Sequence, residues 1–257
     1  MEFFLLILSY LISSVCIGDG DTQPEDTING FLMNMNKQVE YFNKAVQKNG
    51  KLKNGFHAVG LSQGNLLVRG YIEKYNSPRV DSFLSIHGPL AGVGSLPRCN
   101  PRGFAGALCK KVTDLVGDVA YSSTIQNMVA QANYLKDPFE ISLYKKENIF
   151  LPFLNNEVEH ADSQKYKDNF KSLNKLILVK ALDDTMIFPR ESEWFGYYKN
   201  GDDKIAMPYN MTDAYINDSF GLRSLDEENK IKFDTSAGDH LQFNLDDLKR
   251  YIKILLE

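Results

Sequence analysis

The spacing of apolar residues predicts alternating helices and strands in the first part of the chain. Apolar side chains recur at helical spacing over residues 28–47, and a short apolar run at 55–60 follows the turn signal Asn49-Gly50. A second helix is predicted over 66–75 and a second buried strand over 80–86. One sharp turn therefore separates the apolar run at 55–60 from the helix at 66–75.

The second half of the chain interrupts this alternation and then resumes it. Between residues 112 and 173 the pattern indicates short helices broken by prolines, which is typical of a helical insertion. Strands are predicted again at 176–179 and 231–235, and an amphipathic helix from Leu245 to Leu255 ends the chain. We therefore expect an α/β fold with a mainly parallel sheet and helices on both of its faces.

The apolar run at residues 3–17 has two interpretations. It is too short, and too interrupted by serine, to span a bilayer, which needs about 20 apolar residues. It fits the apolar core of a signal peptide, although Glu2 stands where a positive charge is expected. It fits equally a buried parallel strand that ends at Gly18. The sequence leaves both interpretations open.

Length and composition describe one globular domain over residues 1–257. With 43% hydrophobic residues the chain can form one sizeable core. Its 29 Lys and Arg residues are scattered and the net charge is −4, so we expect no nucleic-acid partner.

The cysteines and two short sequons bear on the compartment. Three cysteines are too few for a disulfide scaffold. Cys99 and Cys109 are close enough in sequence to form one bridge, leaving Cys16 over, or they are two unrelated thiols. Asn-x-Ser/Thr sequons begin at Asn210 and Asn217, and they would be glycosylated only in a secreted or lumenal protein.

The segment Gly60-Leu61-Ser62-Gln63-Gly64 matches the nucleophile elbow Gly-x-Ser-x-Gly. It falls between a predicted strand and a predicted helix, as that motif requires. The two glycines are expected to flank a strained turn with little room for Cβ atoms, which lifts the Ser62 hydroxyl out of the sheet. The backbone N–H of Gln63 then lies where it can donate to the oxyanion formed when Ser62 attacks a carbonyl.

A nucleophilic serine needs a base, and His240 is the candidate because it follows a late predicted strand. His57 and His160 are interpreted as a packed and a solvated histidine. His87 follows the strand expected beside the elbow and stays a minor candidate.

The acid that orients the base is expected after strand 176–179, where Asp183-Asp184 stands. Adjacent residues point in different directions, so only one of the two can reach His240, and the spacing does not say which. Asp239 is interpreted as a turn residue. The sequence has no metal-binding or nucleotide-binding motif, so neither a metal nor a cofactor is expected.

Several segments together resemble the palmitoyl-protein thioesterases, lysosomal α/β hydrolases that remove fatty acyl groups from cysteines. The matching segments are Ala58-Val59-Gly60-Leu61-Ser62-Gln63-Gly64, Leu96-Pro97-Arg98-Cys99, Gln131-Ala132-Asn133-Tyr134, Asp137-Pro138, Ser192-Glu193-Trp194-Phe195-Gly196-Tyr197-Tyr198 and Gly238-Asp239-His240-Leu241-Gln242. The resemblance runs from about Ile17 to the C-terminus and implies an α/β-hydrolase fold.

The resemblance also implies roles and partners. It makes Ser62 the nucleophile, Asp184 rather than Asp183 the acid, and His240 the base. It implies a lysosomal or secreted protein that acts on S-acylated proteins or peptides and on long-chain acyl thioesters.

For the helical insertion, about residues 97–173, the resemblance implies a groove for the acyl chain. Apolar residues that suit such a groove are Val119, Ile125, Val129, Phe139 and Ile141. The family also has a disulfide after its Leu-Pro-Arg-Cys motif, and this maps onto Cys99 and Cys109.

Two departures from the family pattern affect the site. The family's Gly-Gly-Gln-His-Gln-Gly stretch is here His87-Gly88-Pro89-Leu90-Ala91-Gly92, so polar contacts expected there are lost. Relatives also carry a strand and a His-Gly-Met-Gly-like loop before the position that matches Ile17, and that loop supplies a second oxyanion donor. We therefore expect an incomplete N-terminal part, with low stability and weak activity for the chain by itself.

Three functional hypotheses follow. The first is an acyl-protein thioesterase that cleaves cysteine thioesters by a Ser-Asp-His mechanism. The second is a broader lipase or carboxylesterase on the same triad, which would prefer oxygen esters to long-chain thioesters. The third is a catalytically impaired protein that binds acyl chains.

Overall fold

In the part of the chain that the structure describes, a four-stranded parallel sheet forms the centre of the fold. The computed structural model describes residues 13–15, 22–95, 107, 110–111 and 119–257. The strands are β1 (Phe56–Leu61), β2 (Val80–Ile86), β3 (Lys175–Ala181), β4 (Tyr197–Tyr198), β5 (Ala206–Met207) and β6 (Ile231–Ser236). The central sheet has the order β1-β2-β3-β6 with every neighbouring pair parallel. The predicted α/β class with a mainly parallel sheet is therefore confirmed.

Helices connect the strands and cover the sheet. The α-helices whose bounds the structure describes are α1 (Gln23–Leu32), α2 (Met35–Lys48), α3 (Gly64–Lys74), α4 (Ser123–Met128), α5 (Ile141–Glu147), α6 (Leu151–Leu154), α7 (Ser163–Lys171), α8 (Asp213–Ile216), α9 (Leu222–Glu227) and α10 (Leu245–Leu256). The helices from α4 to α7 lie between β2 and β3, in the segment where the sequence indicates an insertion. No helix in the described part of the chain is long and apolar enough to cross a membrane.

The two faces of β3 are buried by different helices. Leu176 and Leu178 belong to a core cluster that includes Tyr71 of α3. Ile177 and Val179 belong to a second cluster, which α10 supplies from the opposite face of the sheet. Alternate residues of a strand point to opposite faces, so burial on both sides explains why residues 176–179 of this strand form an uninterrupted apolar run.

The first strand differs because one of its faces meets solvent. Val59 and Leu61 are 43% and 47% exposed. Ala58 packs on the other face in the cluster that contains Val68 and Tyr71 of α3. Within the described residues β1 pairs with β2 and with no other strand. The strand that leads to Ser62 is thus supported from one side by α3 and from one edge by β2.

The prediction of a single helix over 28–47 is wrong, because the structure has two helices there, α1 and α2, which are separated at Asn34. Asn34 caps the N-terminus of α2, its side chain accepting a 3.0 Å hydrogen bond from the Lys37 N–H. The buried Gln38 amide donates to the carbonyl oxygens of Gly30 and Met33 at 3.1 and 2.6 Å, where α1 ends. These side-chain bonds replace the helical bonds that the break removes.

Residues 3–17, which the sequence interprets as a signal peptide or a strand, lie outside the described residues except at 13–15. There Ser13 Oγ accepts a 2.8 Å hydrogen bond from the Asn49 side chain.

The antiparallel pair β4–β5, with Tyr197 opposite Met207, has no counterpart among the sequence predictions. Strands of two residues are too short to show a periodicity.

Candidate active site

The turn between β1 and α3 holds Ser62 in a strained conformation. Ser62 has a φ of +51°, in the left-handed region that residues other than glycine seldom adopt. Its N–H donates to the Ile86 carbonyl oxygen at 3.1 Å, which ties the turn to the end of β2. The sharp connection expected from the sequence is present between these two elements.

The two glycines of the motif have unequal surroundings. A Cβ atom on Gly60 would lie 2.4 Å from Asn65 Oδ1 and 2.7 Å from Asn65 Cα. Asn65 cannot easily move, because its side-chain amide donates to the carbonyl oxygens of Ser62 and Ile86, each at 2.9 Å. A Cβ atom on Gly64 would meet nothing within 4 Å. The expectation of little room is therefore wrong for Gly64.

Three side chains form one hydrogen-bonded series at the carboxyl edge of the sheet. Ser62 Oγ lies 2.8 Å from His240 Nε2, and His240 Nδ1 lies 2.6 Å from Asp184 Oδ2. Because a carboxylate only accepts, His240 donates from Nδ1 to Asp184 and accepts at Nε2 from the Ser62 hydroxyl. Ser62 follows β1, Asp184 follows β3 and His240 follows β6. Such a series can move a proton from a serine hydroxyl to an imidazole.

Of the two adjacent aspartates, Asp184 reaches His240. Asp184 is 6% exposed, whereas Asp183 is an exposed residue. The second oxygen of Asp184, Oδ1, accepts from the backbone N–H groups of Met186 and Ile187 at 2.7 and 2.8 Å. Burial by itself would raise the pKa of Asp184, but the bond to His240 and these two N–H groups lower it overall. The site therefore holds this carboxyl group ionised.

A second buried carboxyl group, that of Glu193, lies near Asp184. Its Oε2 accepts a 2.9 Å hydrogen bond from the N–H of Ala181, the last residue of β3. Burial raises the pKa of Glu193 to about 9, with the Ala181 N–H opposing and Asp184 adding to the rise. A neutral Glu193 adds no second negative charge beside Asp184. The sequence places Glu193 in a matching segment but gives no sign of its protonation.

Gln63 is the N-cap of α3, and its side chain is held by the neighbouring elements. Its Nε2 donates to the Gly30 carbonyl oxygen at 2.8 Å, and its Oε1 accepts from Tyr134 Oη and Gln131 Nε2, each at 3.1 Å. The backbone N–H of an N-cap residue has no acceptor within its own helix. The candidate oxyanion donor is thus fixed by contacts with α1 and with the insertion.

A second imidazole, that of His87, lies beside the series. It follows β2 with a φ of +49° and is fully buried. Its ring centroid is 6.0 Å from that of His240. Leu241 N–H donates to Nδ1 at 2.8 Å, and Nε2 lies 2.8 Å from Ser236 Oγ. The sequence suggests a place near the elbow but not these bonds, which depend on how the turn after β6 folds over β2.

The structure reverses the predictions for His57 and His160, which the sequence analysis interprets as a packed and a solvated histidine. His57 is exposed on β1, because that strand has one uncovered face. His160 is half-buried, with its ring 4.7 Å from that of Tyr166 and 5.5 Å from that of Phe153. The packed histidine is therefore His160 and the solvated one His57.

Asp239 is a turn residue, as the sequence indicates. Its Oδ1 accepts from the N–H groups of Thr185 and His240 at 2.8 and 2.7 Å. It therefore joins the turn that carries His240 to the loop that carries Asp184.

One group of side chains among the described residues is close enough together to hold a metal ion. His87, Asp184 and His240 each offer an atom, and these atoms lie within 4.8 Å of one another. Asp184 and His240 are bonded to each other, His240 also to Ser62, and His87 Nδ1 to the Leu241 N–H. These donor atoms serve hydrogen bonds, an arrangement that suits proton transfer rather than coordination.

The remaining predicted site residues fall at the surface, in the core or outside the described residues. Cys99 and Cys109 lie outside them. Asn210 and Asn217 are both exposed, the second directly after α8.

The apolar residues suggested for an acyl groove divide into two groups. Ile125 and Val129 are 6% and 0% exposed and belong to the core. Val119 and Phe139 are 50% and 62% exposed, and Ile141 is half-buried. Only the second group has surface that a ligand could cover.

Comparison with known proteins covers most of the chain. The family described as palmitoyl protein thioesterase matches residues 6–240, a span that includes Ser62, Asp184 and His240. The chain belongs to the palmitoyl protein thioesterase family. It is 35% identical to palmitoyl-protein thioesterase 3 of Dictyostelium discoideum, over 83% of this chain and 71% of the relative. It is 37% identical to palmitoyl-protein thioesterase 1 of Caenorhabditis elegans, over 87% of this chain and 73% of the relative.

A third relative is a lysosomal thioesterase, PPT2-B of Xenopus laevis, 33% identical over 82% of this chain and 72% of its own length. The resemblance predicted from the sequence segments is thus confirmed. Membership in the palmitoyl protein thioesterase family, with the parallel sheet and its covering helices, also confirms the α/β-hydrolase fold class.

Proposed function

We propose that this chain hydrolyses long-chain fatty acyl thioesters of cysteine, with Ser62 as nucleophile, His240 as base and Asp184 as the group that orients His240. The observation that carries the proposal is the hydrogen-bonded series from Ser62 Oγ through His240 to Asp184, set on a left-handed turn at the start of α3. Membership in the family, whose relatives are named palmitoyl-protein thioesterases, supports a thioester as the bond cleaved.

In the first half of the proposed reaction, Ser62 Oγ attacks the thioester carbonyl carbon while its proton passes to His240 Nε2. The carbonyl oxygen becomes an oxyanion, and the backbone N–H of Gln63 at the N-terminus of α3 donates to it. Collapse of this intermediate breaks the C–S bond, and His240 returns the proton to the departing cysteine sulfur. The thiol leaves and the acyl group remains on Ser62 as an ester.

In the second half, His240 takes a proton from water while the water oxygen attacks the ester carbonyl. The C–O bond to Ser62 then breaks, His240 returns the proton to Ser62 Oγ, and the fatty acid is released. The Asp184 carboxylate stabilises the imidazolium that forms in both halves. Its lowered pKa keeps it ionised for this purpose.

Substitution of the three proposed residues tests the mechanism. Ser62→Ala, Asp184→Asn and His240→Ala are each expected to lower hydrolysis of a palmitoyl-cysteine peptide by about 10⁴-fold or more, because the members of a triad act as a unit. Asp183→Asn is the matched control, since it removes the exposed carboxylate next to Asp184, and it is expected to keep its turnover. Thiol release measures the rate, and thermal melting shows that each variant is folded. Loss of activity in Asp183→Asn but not in Asp184→Asn would make the assignment of the acid wrong.

The bond cleaved is tested with matched palmitoyl esters of oxygen and sulfur. A thioesterase is expected to show the higher kcat/KM on the thioester, whereas an equal or higher value on the oxygen ester would favour a broader esterase. Tight binding of a fatty acid without hydrolysis of either ester would favour the impaired acyl-binding protein.

The acyl groove is proposed to use the exposed apolar residues of the insertion, Val119 and Phe139, with Ile141. Their exposed surface supports this choice over Ile125 and Val129, which belong to the core. Each CH₂ group buried from water stabilises by about 0.8 kcal/mol, so such a surface selects for long chains. Phe139→Ser is expected to lower kcat/KM for a palmitoyl substrate more than for a butyryl one, and an equal effect on both would contradict the assignment.

A lysosomal or secreted location is proposed from the names of the lysosomal relatives. It would allow a bridge from Cys99 to Cys109, with Cys16 left over, and glycans on the exposed Asn210 and Asn217. Peptide mapping without reductant and glycosidase treatment of protein from a secretory host would test these modifications. Recovery of Cys99 as a free thiol would rule out the bridge.

A further inference from the structure

The site contains a buried titratable side chain that the proposed mechanism does not use. His87 is fully buried and has a φ of +49°, a conformation that is costly for a residue other than glycine. Its own N–H donates to the Val179 carbonyl oxygen at 3.0 Å, which fixes the backbone at the ends of β2 and β3. The imidazole is therefore attached to backbone that is hydrogen-bonded to the central sheet.

Both ring nitrogens of His87 are engaged, and their partners determine the tautomer. The Leu241 N–H can only donate, so Nδ1 accepts its bond at 2.8 Å. In a neutral ring Nε2 then carries the hydrogen and donates to Ser236 Oγ at 2.8 Å. The ring of Phe243 packs edge-on against that of His87 at 5.8 Å between centroids. His87 thus contacts the chain both before and after His240.

The turn that presents His240 is held from two sides. On one side Asp239 bonds to Thr185 and to the His240 N–H, as described above. On the other side the Leu241 N–H is bonded to His87, and Leu241 has a φ of +57°. Because His240 lies between Asp239 and Leu241, a shift of either side displaces its ring relative to Ser62.

We propose that His87 is a positioning residue: it accepts the Leu241 N–H hydrogen bond and thereby holds His240 Nε2 within hydrogen-bond distance of Ser62 Oγ. The inference rests on the proposed function in one respect, namely that His240 is the base. The environment of His87 agrees with an acceptor role. Burial lowers its pKa to about 4, the nearby His240 acts in the same direction and Asp184 opposes. The ring therefore stays neutral, with Nδ1 free of a proton, down to weakly acidic pH.

Three substitutions separate the two hydrogen bonds of His87. His87→Asn keeps an acceptor at the position of Nδ1 and tolerates a positive φ, whereas it cannot reach Ser236. His87→Gln places its amide at the position of Nε2 and loses the acceptor for Leu241. His87→Gly removes both bonds and relieves the backbone. We expect His87→Gln and His87→Gly to lower kcat by about tenfold with little change in KM, and His87→Asn to stay within about threefold of wild type, since one neutral hydrogen bond accounts for roughly a tenfold effect.

Two readouts do not depend on the thioester substrate. The first is the rate at which a fluorophosphonate labels Ser62, which requires His240 as base. The second is the low-field NMR signal of the His240 Nδ1 proton, which a purely structural role for His87 would leave unmoved. Both are expected to change in His87→Gln and His87→Gly and to return towards wild type in His87→Asn, while thermal melting monitors folding.

The outcomes distinguish the two proposals. If the fluorophosphonate labels the wild-type protein but the protein hydrolyses no thioester, the proposed function is overturned. The labelling rates of the His87 variants would then still test the positioning role of His87. Wild-type rates in a folded His87→Gly protein, or equal losses in His87→Asn and His87→Gly, would overturn the role of the Nδ1 acceptor. Absence of labelling in the wild type would overturn both.

Discussion

Three residues other than glycine adopt left-handed conformations around the site. They are Ser62, His87 and Leu241, and each such conformation costs on the order of 1–3 kcal/mol. Each has its N–H bonded: Ser62 to Ile86, His87 to Val179, and Leu241 to the His87 ring. The glycines on either side of Ser62 predict its turn from the sequence. No comparable signal precedes His87 or Leu241, because the folded surroundings impose their conformations.

The unequal glycines of the elbow give a prediction at the residue scale. Gly60→Ala is expected to lower the free energy of unfolding by about 1–3 kcal/mol, because the new methyl group would overlap the fixed Asn65. Gly64→Ala is the matched control and is expected to be neutral or slightly stabilising, since its methyl group meets no atom and alanine favours a helix. Urea unfolding of both variants measures the difference, and equal losses would contradict the assigned crowding at Gly60.

Sequence patterns predict the long elements of this fold well and its breaks poorly. The predicted strand at 80–86 coincides with β2, which is buried on both faces and carries the apolar residues Val80, Phe83, Leu84 and Ile86. The sequence analysis misses the division between α1 and α2, because the apolar spacing continues across Asn34. The break depends on the hydrogen bonds that the Gln38 side chain donates to the carbonyl oxygens of Gly30 and Met33, and these are not visible in the spacing. The sequence analysis also misses the uncovered face of β1, because Val59 and Leu61 are residue types that usually lie in the core although both are exposed here.

Helix α3 is joined to helix α6 by a buried arginine. Arg69 Nε lies 2.7 Å from Glu73 Oε1, and both side chains are fully buried. Its other nitrogens donate to the Leu90 carbonyl oxygen at 2.7 Å and to the Leu154 carbonyl oxygen at 3.0 Å. The guanidinium also lies over the Phe220 ring, 4.3 Å from its centroid. One side chain thus connects α3, the loop after β2 and the end of α6.

Removal of this arginine gives a prediction at the element scale. Arg69→Met is expected to lower the free energy of unfolding by about 3–5 kcal/mol, because it leaves Glu73 buried without its partner. Adding Glu73→Leu should recover part of that loss. Arg79→Met is the control, since its pair with Asp81 is at the surface and is expected to contribute under about 1 kcal/mol. A loss in Arg69→Met no larger than in Arg79→Met, measured by denaturant unfolding, would contradict the prediction.

At the scale of the whole molecule, topology brings distant residues together. Ser62 and His240 are 178 positions apart, and His240 and Asp184 are 56 apart. They meet because β1, β3 and β6 are parallel, so that the loops after their carboxyl ends lie at one edge of the sheet. This rule predicts which loops supply the site. It does not predict the buried groups beneath them, such as Glu193, whose protonation depends on packing from several elements at once.

The neutral state of Glu193 gives a prediction for the stability of the whole molecule against pH. The carboxyl group has a pKa near 4.5 when unfolded and about 9 in the folded protein. Between these values the folded state holds a proton that the unfolded state lacks, so its contribution is complete below pH 4.5 and is lost as the pH rises towards 9. The loss amounts to at most about 1.4 kcal/mol per pH unit. His87 has the opposite sign, because its pKa falls from 6.5 to about 4 on folding, and its contribution is lost as the pH falls through that interval.

A variant isolates the term due to Glu193 from these opposing effects. Glu193→Gln cannot ionise, yet its amide keeps an acceptor for the Ala181 N–H. Its stability relative to wild type is therefore expected to rise steadily from pH 5 to pH 8.5, because over that range only the folded wild type must hold a proton that its unfolded state has released. Glu191→Gln, which removes a partly exposed carboxylate paired with Arg190, is the control for loss of a charge on the same turn. Urea unfolding at several pH values gives the difference in free energy. A difference between Glu193→Gln and wild type that stays constant across the range would mean that Glu193 is ionised in the folded protein.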